Sequence, residues 1–507
     1  MRLNRFKEID WITYSFFVVL AALMIILFNH DSPVYHYNQW VDTNYYFTVA
    51  RGMLHGKTMY SGIFDQKGPL VYFTHCFALL IFPTKYWGMI PIFICLFFVD
   101  LVIVFKWAKL FLQRVPSILV TVIFSGLFFN FYYYQRGDSA EELVMPFLLY
   151  AFYLLFKYVQ SRALPTILQY TVAGFGIGWI FLSKFSLLLA PAFLFLALWI
   201  SLIISKQFKE LIKSILWSGL GFVICALPVM LYFIINNALK SFWHYYLYLN
   251  LFLYTPDQLK YTNSSAKWIG VWFAKNSNWF AEFWPSTIII LIGIFGLVFS
   301  KRLIIDSKNK GVVLLAALFL YLSASIPALA EYYFMAVIPL TVPGLIMLVK
   351  FGEREVVNRF SLTMAITLFL VTPIFTSITN QSVTNESRFT RTDNHPSAYT
   401  LMKPMIQSKT GRHSLLVYKA YDGGFYNITN SVPSQKYFAK YNIPNKLMPE
   451  IFKSMSYSVK RGRTKFVVAD AYYVQEAMRL NPDYKVVSTY NLSNMPWERY
   501  TLLELKK

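Results

Sequence analysis

Apolar runs long enough to cross a bilayer, about 18 residues or more, recur along the chain. They begin near residues 11, 87, 116, 141, 165, 185, 214, 285, 311, 332 and 360. One further apolar stretch, Pro69 to Phe82, is only about fourteen residues long, which suits a re-entrant or interfacial helix better than a crossing. Polar connections separate the runs, and most are short. The exception lies between the first and second runs, where about forty residues from Asn29 to Leu70 mix acids (Asp31, Asp42, Asp65), bases (Arg51, Lys57, Lys67), three histidines and many aromatics. Joining two spans needs only a handful of residues, so this segment calls for another purpose.

After the last run the pattern changes. Residues from about 380 to 507 are polar, with strand candidates at Ser414–Tyr418, Lys465–Ala469, Lys485–Tyr490 and Arg499–Leu505 and helix candidates at Asn445–Met455 and Ala471–Leu480. Alternating strands and helices predict a small α/β layer domain. The expected organisation is an α-helical polytopic membrane domain over 1–379, of about 11 transmembrane helices with a large first outer loop. A soluble extracytoplasmic α/β domain follows over 380–507. That second domain has no phosphate-type glycine loop and no nucleophile elbow, and Asp422-Gly423-Gly424 reads as a turn after its first strand. It reads as accessory.

Composition agrees with a membrane protein: of 507 residues, 56% are hydrophobic, 19% aromatic and only 14% charged. The formal net charge of +22 would suggest nucleic acid in a soluble protein, but no basic stripe or nucleic-acid fold signature accompanies it. No nucleic-acid partner is expected. Lys and Arg in such a chain favour cytoplasmic loops and anionic headgroups. With a cytoplasmic N-terminus and Pro69–Phe82 not crossing, about eighteen Lys/Arg fall inside against about ten in the longer outer loops. Letting that stretch cross inverts every later loop. The first run follows Arg2, Arg5 and Lys7 and lacks a small-residue cleavage site, as a retained signal anchor would. Cys76, Cys95 and Cys225 all lie in apolar surroundings and read as small core residues.

The same assignment places Asp31, Asp42, Asp65, Asp138, Glu141, Glu142 and Glu331 at or near the outer face, where charges at span ends are costly and often functional. Asp42 stands in V-D-T-N-Y-Y-F-T-V-A-R-G-M-L-H-G. Tyr45, Val49 and Gly52 or Met53 recur there at helical spacing, predicting a short amphipathic helix lying on the membrane. Asp42 or Thr43 would serve as its N-cap; alternatively Asp42 is a general base for an incoming hydroxyl. In F-D-Q-K-G-P-L-V-Y-F, Lys67 precedes Gly68-Pro69, a helix start. A cation beside a helix N-terminus suits a phosphate, and a lysine snorkelling to the interface explains it equally. Y-Y-Y-Q-R-G-D-S-A-E-E-L supplies Arg136 as a second phosphate ligand with Asp138 and Glu141 at a span's first turn, where acids also favour the helix dipole. F-L-S-K-F-S places Lys184 at the outer edge, and A-E-Y-Y-F-M places Glu331 and Tyr332 at the start of a late span. The aromatic stretch Phe242–Trp284, with Tyr245, Tyr246, Tyr248 and Trp272, fits an interfacial belt or the border of a lipid groove.

In order and spacing these elements resemble the membrane glycosyltransferases of the GT-C fold. The nearest relatives are the bacterial branch that includes aminoarabinose lipid A transferases and protein O-mannosyltransferase-like enzymes. The resemblance covers about residues 8–375 and is most specific in D-x-x-Y-(x)n-A-R-x-x-L-x-G followed by D-Q-K-G-P-L-V-Y-F. It implies transfer of a sugar from a polyprenyl-phosphate carrier at the outer face with inversion, to a cell-envelope glycan, lipid or protein. A wall polysaccharide or teichoic acid is the favoured acceptor. The family's catalytic aspartate falls on Asp42, and its donor-phosphate lysine on Lys67, with Gly68 where many relatives have a first proline. Its second acid falls on the Asp138/Glu141 region, and Glu331-Tyr332-Tyr333 resembles the tyrosine-rich start of a late span. Arg136 joins Lys67 on the phosphate; Asp65, Asp138, Glu141, Lys184, Glu331 and Tyr332 are supporting, metal- or acceptor-binding candidates. Some members use a divalent cation held by carboxylates, and the need for one here is open. The competing reading is a lipid-linked-sugar transporter, which would need a phosphate clamp and polar groups near the bilayer midplane. Asp100 is the clear acid deep in a span.

Overall fold

The computed structural model describes residues 2–35, 38, 40–161, 163–254, 265–299, 303–304, 307–326, 331–352, 371–372, 398–408, 411, 414–491 and 499–506. The chain forms two compact units, each assembled from three segments.

The first unit comprises Met1–Val34, Ile90–Val229 and Thr262–Ser387 and is built of helices. Among the described residues of the whole chain, six helical segments are long and apolar enough to cross a membrane: Trp11–Phe28, Tyr86–Ala108, Ala140–Ser161, Ile167–Ile204, Phe208–Ile235 and Glu331–Phe351. The count rises to seven if Ile269–Glu282 and Trp284–Phe299, bent by 100°, make one span. The expected eleven is therefore not reached among these residues. The run near 116 forms only the 15-residue helix Arg114–Phe128, and the run near 360 lies largely outside the described residues. Ile167–Ile204, at 38 residues, is about twice the length one crossing requires. It breaks at Phe185–Leu188 into the two runs the pattern expects.

Helix packing in this unit relies on small residues. A Cβ on Gly174 would overlap the Ser218 carbonyl, and one on Gly221 would overlap the Thr171 carbonyl. The Ile167–Lys184 and Phe208–Ile235 helices thus meet backbone to backbone, the close approach that small residues permit between apolar helices. Cys95 departs from expectation: it is exposed on its helix, whereas Cys225 is buried and Cys76 half-buried.

The second unit comprises Tyr35–Met89, Met230–Tyr261 and Arg388–Lys507. It carries a four-stranded sheet, β1 (Leu415–Tyr418), β2 (Phe466–Asp470), β3 (Tyr484–Asn491) and β4 (Arg499–Leu505), in the order β1-β2-β4-β3. β1 and β2 are parallel and the other two pairings antiparallel. The helix expected at Asn445–Met455 runs instead over Glu450–Lys460, with Pro449 at its N-cap. A helix started at 445 would place that proline in its interior, where it removes a hydrogen bond and clashes. The expected Ala471–Leu480 helix opens with a 3-10 turn. There the Asp470 carboxylate accepts from the Tyr472 N–H at 2.9 Å, and the α-helix starts at Val474.

Two helices from the long first loop share this unit, Val41–Leu54 and Pro69–Ile81. The first is not an amphipathic helix on a surface: every residue from Thr43 to Gly52 is buried. One side packs on the second helix, with Tyr46 and Phe47 edge-on to His75 at 5.2 and 4.8 Å. Other faces are covered by the C-terminal segment. Arg51 donates to Asn427 and Asn430, Tyr45 to the Lys440 carbonyl, and Asn427 to Asn44 at 3.0 Å. The C-terminal segment is therefore structural to this helix rather than merely accessory.

Candidate functional site

Asp42 sits in the first turn of the Val41–Leu54 helix. Trp40 holds the N-cap position with extended backbone and no side-chain cap, so neither Asp42 nor Thr43 caps the helix. An acid in the first turn is favoured by the helix dipole, and Asp42 also has a cationic partner farther along the chain. Lys67 Nζ stands 2.9 Å from Asp42 Oδ2, with 16% of each side chain exposed. The Tyr46 hydroxyl lies 3.4 Å from the same oxygen. Lys67 and Gly68 lead into the Pro69–Ile81 helix, with Pro69 in its first turn as the sequence predicts. Gly68 has φ −69 and ψ 149, which is the backbone a proline adopts. A proline at this position would keep the same φ.

The segment carrying Lys67 is pinned from several sides. Tyr60, at a left-handed φ of 64, donates its hydroxyl to the Lys67 carbonyl at 2.6 Å, and the Lys67 N–H donates to the Tyr72 hydroxyl at 2.9 Å. Asn250 donates to the Gln66 carbonyl at 2.9 Å, Tyr441 to the Phe64 carbonyl at 2.8 Å, and the Phe64 N–H to the Lys436 carbonyl at 3.0 Å. Such convergent second contacts hold a functional group in place.

Asp65 is buried beneath this pair. Its carboxylate accepts from the Gln66 N–H at 2.8 Å and the Tyr72 hydroxyl at 2.9 Å. Burial pushes its pKa up to about 6, against the opposing pull of the Gln66 N–H, Lys67 and Tyr72. Asp65 thus orients Tyr72, which in turn orients the Lys67 backbone.

Asp422 was not legible as a site residue. It is fully buried; Oδ1 accepts from the Gly424 and Phe425 N–H groups at 3.0 and 2.9 Å, and Oδ2 accepts from the Thr48 hydroxyl at 2.9 Å. Burial raises its pKa to about 6 despite these donors. The turn at Asp422-Gly423-Gly424 is where the sequence places it. Its partner, 374 residues earlier in the chain, carries no sequence signal.

In the first unit, Glu141, Lys184 and Tyr332 come together. The Lys184 ammonium pairs with the Glu141 carboxylate and lies 3.5 Å from the Tyr333 ring centre and 5.3 Å from that of Tyr332. Glu331 faces elsewhere, within electrostatic reach of Lys275 and Glu282. Asp138 is buried at a left-handed φ of 62, and its N–H donates to Glu142 at 2.8 Å. Glu142 also accepts from the Tyr134 hydroxyl at 3.0 Å, so the third acid of the cluster organises the turn. The Arg136 carbonyl accepts from the His30 N–H at 2.9 Å. A cavity of about 510 Å³ in this unit, lined by Tyr150, Tyr158, Tyr170, Ser201 and Asn309 among apolar side chains, lies toward the helix ends opposite Glu141 and Lys184.

Of the aromatic stretch, Tyr245 and Tyr246 belong to a π-helix, Trp243–Tyr254, in the second unit. Tyr246 is buried, and Tyr245 accepts from Lys436 at 2.9 Å. Among the described residues no group of three or more His, Cys, Asp or Glu is gathered to hold a metal ion.

No family model matches the chain, and no curated protein matches its sequence. Its fold does match solved structures. Against ArnT from Cupriavidus metallidurans bound to undecaprenyl phosphate, the TM-score is 0.63 at 11% identity, covering 96% of this chain and 98% of that one. Against the apo state of the same protein the TM-score is 0.61 at 10% identity, with 98% of each chain covered. The chain therefore has the ArnT-like, GT-C-like fold that the sequence elements predict, with a small C-terminal sheet.

Proposed function

We propose that this chain is an integral membrane glycosyltransferase that moves a monosaccharide from a polyprenyl-phosphate carrier to a cell-envelope acceptor, with inversion. A wall polysaccharide or teichoic acid is the favoured acceptor. The N-terminus lies in the cytoplasm and the 380–507 domain outside the plasma membrane. The observation that carries this reading is the largely buried Asp42–Lys67 pair, 2.9 Å apart, at the mouth of the Pro69–Ile81 helix. Support comes from sharing a fold with a protein solved with undecaprenyl phosphate.

The pair suggests how binding and chemistry are linked. A carboxylate that keeps a lysine as counter-ion is a poor proton acceptor. A donor phosphate arriving at the helix N-terminus draws Lys67 toward itself, and Asp42 is left as the stronger base. The acceptor hydroxyl gives its proton to Asp42 while its oxygen bonds to the anomeric carbon. The bond from that carbon to the phosphate oxygen breaks, and the electron pair leaves with the polyprenyl phosphate. One displacement inverts the centre and needs no covalent enzyme intermediate. Lys67 stabilises the charge that develops on the leaving phosphate. Asp65, through Tyr72, positions Lys67 without touching substrate.

The test is complementation of a deletion strain, read as the sugar composition of its envelope polymers. Wild type restores the parental composition, and Asp42→Asn does not, while the purified variant still binds polyprenyl phosphate. Restoration by Asp42→Asn at the wild-type rate refutes the base assignment and favours a transporter that uses the lipid phosphate alone.

A further inference from the structure

The exposed face of the Glu450–Lys460 helix is a concentrated patch of positive charge that the transfer chemistry does not use. Ile451, Met455, Ser458 and Val459 turn inward and are buried. Lys453, Tyr457, Lys460, Arg461 and Arg463 are all exposed, Tyr457 by 47%. From 450 to 465 the chain has five Lys or Arg and one acid, Glu450, exposed in the helix's first turn. Lys465 is engaged with Glu504 at 3.4 Å, leaving four cations around one tyrosine.

Their arrangement is built by the backbone. Gly462 has φ +59 and ends the helix in the left-handed turn that glycine favours. The Gly462 N–H donates to the Val459 carbonyl at 3.0 Å and the Arg463 N–H to the Ser458 carbonyl at 3.1 Å. That reversal brings Arg463 back over Tyr457, with its guanidinium carbon 4.8 Å from the ring centre, and Arg461 meets the same ring at 5.6 Å. Cations in a last helical turn are favoured by the dipole, which accounts for Lys460 and Arg461. It does not account for Lys453 two turns earlier, nor for two arginines gathered on one exposed ring. A planar guanidinium resting on a ring keeps its N–H edge for an outside acceptor and binds phosphate oxygens in a fork. Lys453, Tyr457 and Arg461 follow one another at four-residue intervals, so the patch extends about 12 Å along the helix. That length suits a chain of repeated charges better than a single ion.

We infer that this face binds a phosphodiester-linked polyanion, with the cations on successive phosphates and Tyr457 against the intervening apolar or sugar units. It deepens the transferase reading by naming the acceptor as an anionic polymer, and it rests on that reading only for the word acceptor.

The experiment uses the full chain in nanodiscs of neutral lipid and a fluorescent poly(glycerol phosphate) oligomer. Wild type should bind with an affinity that falls steeply with salt. Arg461→Gln/Arg463→Gln should weaken binding at least about tenfold and lower the log–log salt slope by about 1.4, two contacts at ~0.7 each. Its thermal unfolding should be unchanged, since both side chains are exposed. Tyr457→Phe should bind as wild type and Tyr457→Ala more weakly. Equal binding by wild type and the double variant overturns the inference, as does equal competition by neutral dextran. So does binding to phosphatidylglycerol vesicles with no binding to the polymer, which would assign the face to a lipid surface. Asp42→Asn should bind the oligomer as wild type does, so loss of transfer and loss of docking are read separately.

Discussion

Asp422 offers a test of how the C-terminal segment supports the helix that carries Asp42. Its carboxylate is buried and accepts from two backbone N–H groups and from Thr48, which lies six residues along the helix from Asp42. Asp422→Asn and Asp422→Ala both remove the charge and differ in the acceptor that remains. The amide can keep its oxygen on the Gly424 and Phe425 N–H groups and turn its NH2 toward the Thr48 oxygen. Alanine leaves the Gly424 and Phe425 N–H groups unmet where asparagine meets them, at about 1 kcal/mol each on the low side. Alanine should therefore be about 2 kcal/mol less stable than asparagine at every pH. The charge supplies a second, separable effect. The folded carboxyl titrates near 6 against 3.8 for the ordinary group, so between those values the folded chain holds a proton that the unfolded chain has released. Stability is fully present below about pH 4 and falls as the pH rises through 6. At about 1.4 kcal/mol per pH unit the loss is roughly 3 kcal/mol. Asp422→Asn should remove that slope. The assay is equilibrium unfolding of the full chain in detergent between pH 4 and 8, followed by proteolysis of the C-terminal segment. Asparagine and alanine variants that unfold within about 0.5 kcal/mol of each other would refute the hydrogen-bond assignment.

Three further outcomes are expected. Asp65 is also held up, to about 6, so wild-type stability should decline a second increment from pH 4 to 6. Asp65→Asn should flatten it, and an unchanged slope in unfolding titrations would argue against the burial. Lys184→Met should strand the buried Glu141 carboxylate at a cost of about 3–5 kcal/mol, largely recovered in Lys184→Met/Glu141→Gln; a double-mutant cycle with no coupling would dismiss the pair. Gly221→Val should force apart the Ile167–Lys184 and Phe208–Ile235 helices and lower the melting temperature in detergent, whereas Gly219→Val, with open space around its Cβ position, should not.

The sequence by itself determined the membrane class, the four strands and the helix start at Pro69. Each of these is written in local patterns: unbroken apolar runs, β-branched stretches, a proline at a first helical turn. Local spacing also carried the turn at Asp422. What it did not carry was partnership over long separations. The Val41–Leu54 helix has apolar residues at helical intervals and so reads as a surface helix. Its polar residues Asn44, Thr48 and Arg51 are nonetheless buried, because Asp422, Asn427 and Asn430 satisfy them from nearly 380 residues away. A periodicity argument treats a polar position as solvated; only the folded chain shows that another part of the protein takes the place of water. The same holds for Glu141 and Lys184, which are 43 residues apart and read singly as ordinary span-end charges. Their pairing, like that of Asp42 with Lys67, was decided by tertiary packing, since burying either charge is tolerable only with the other beside it.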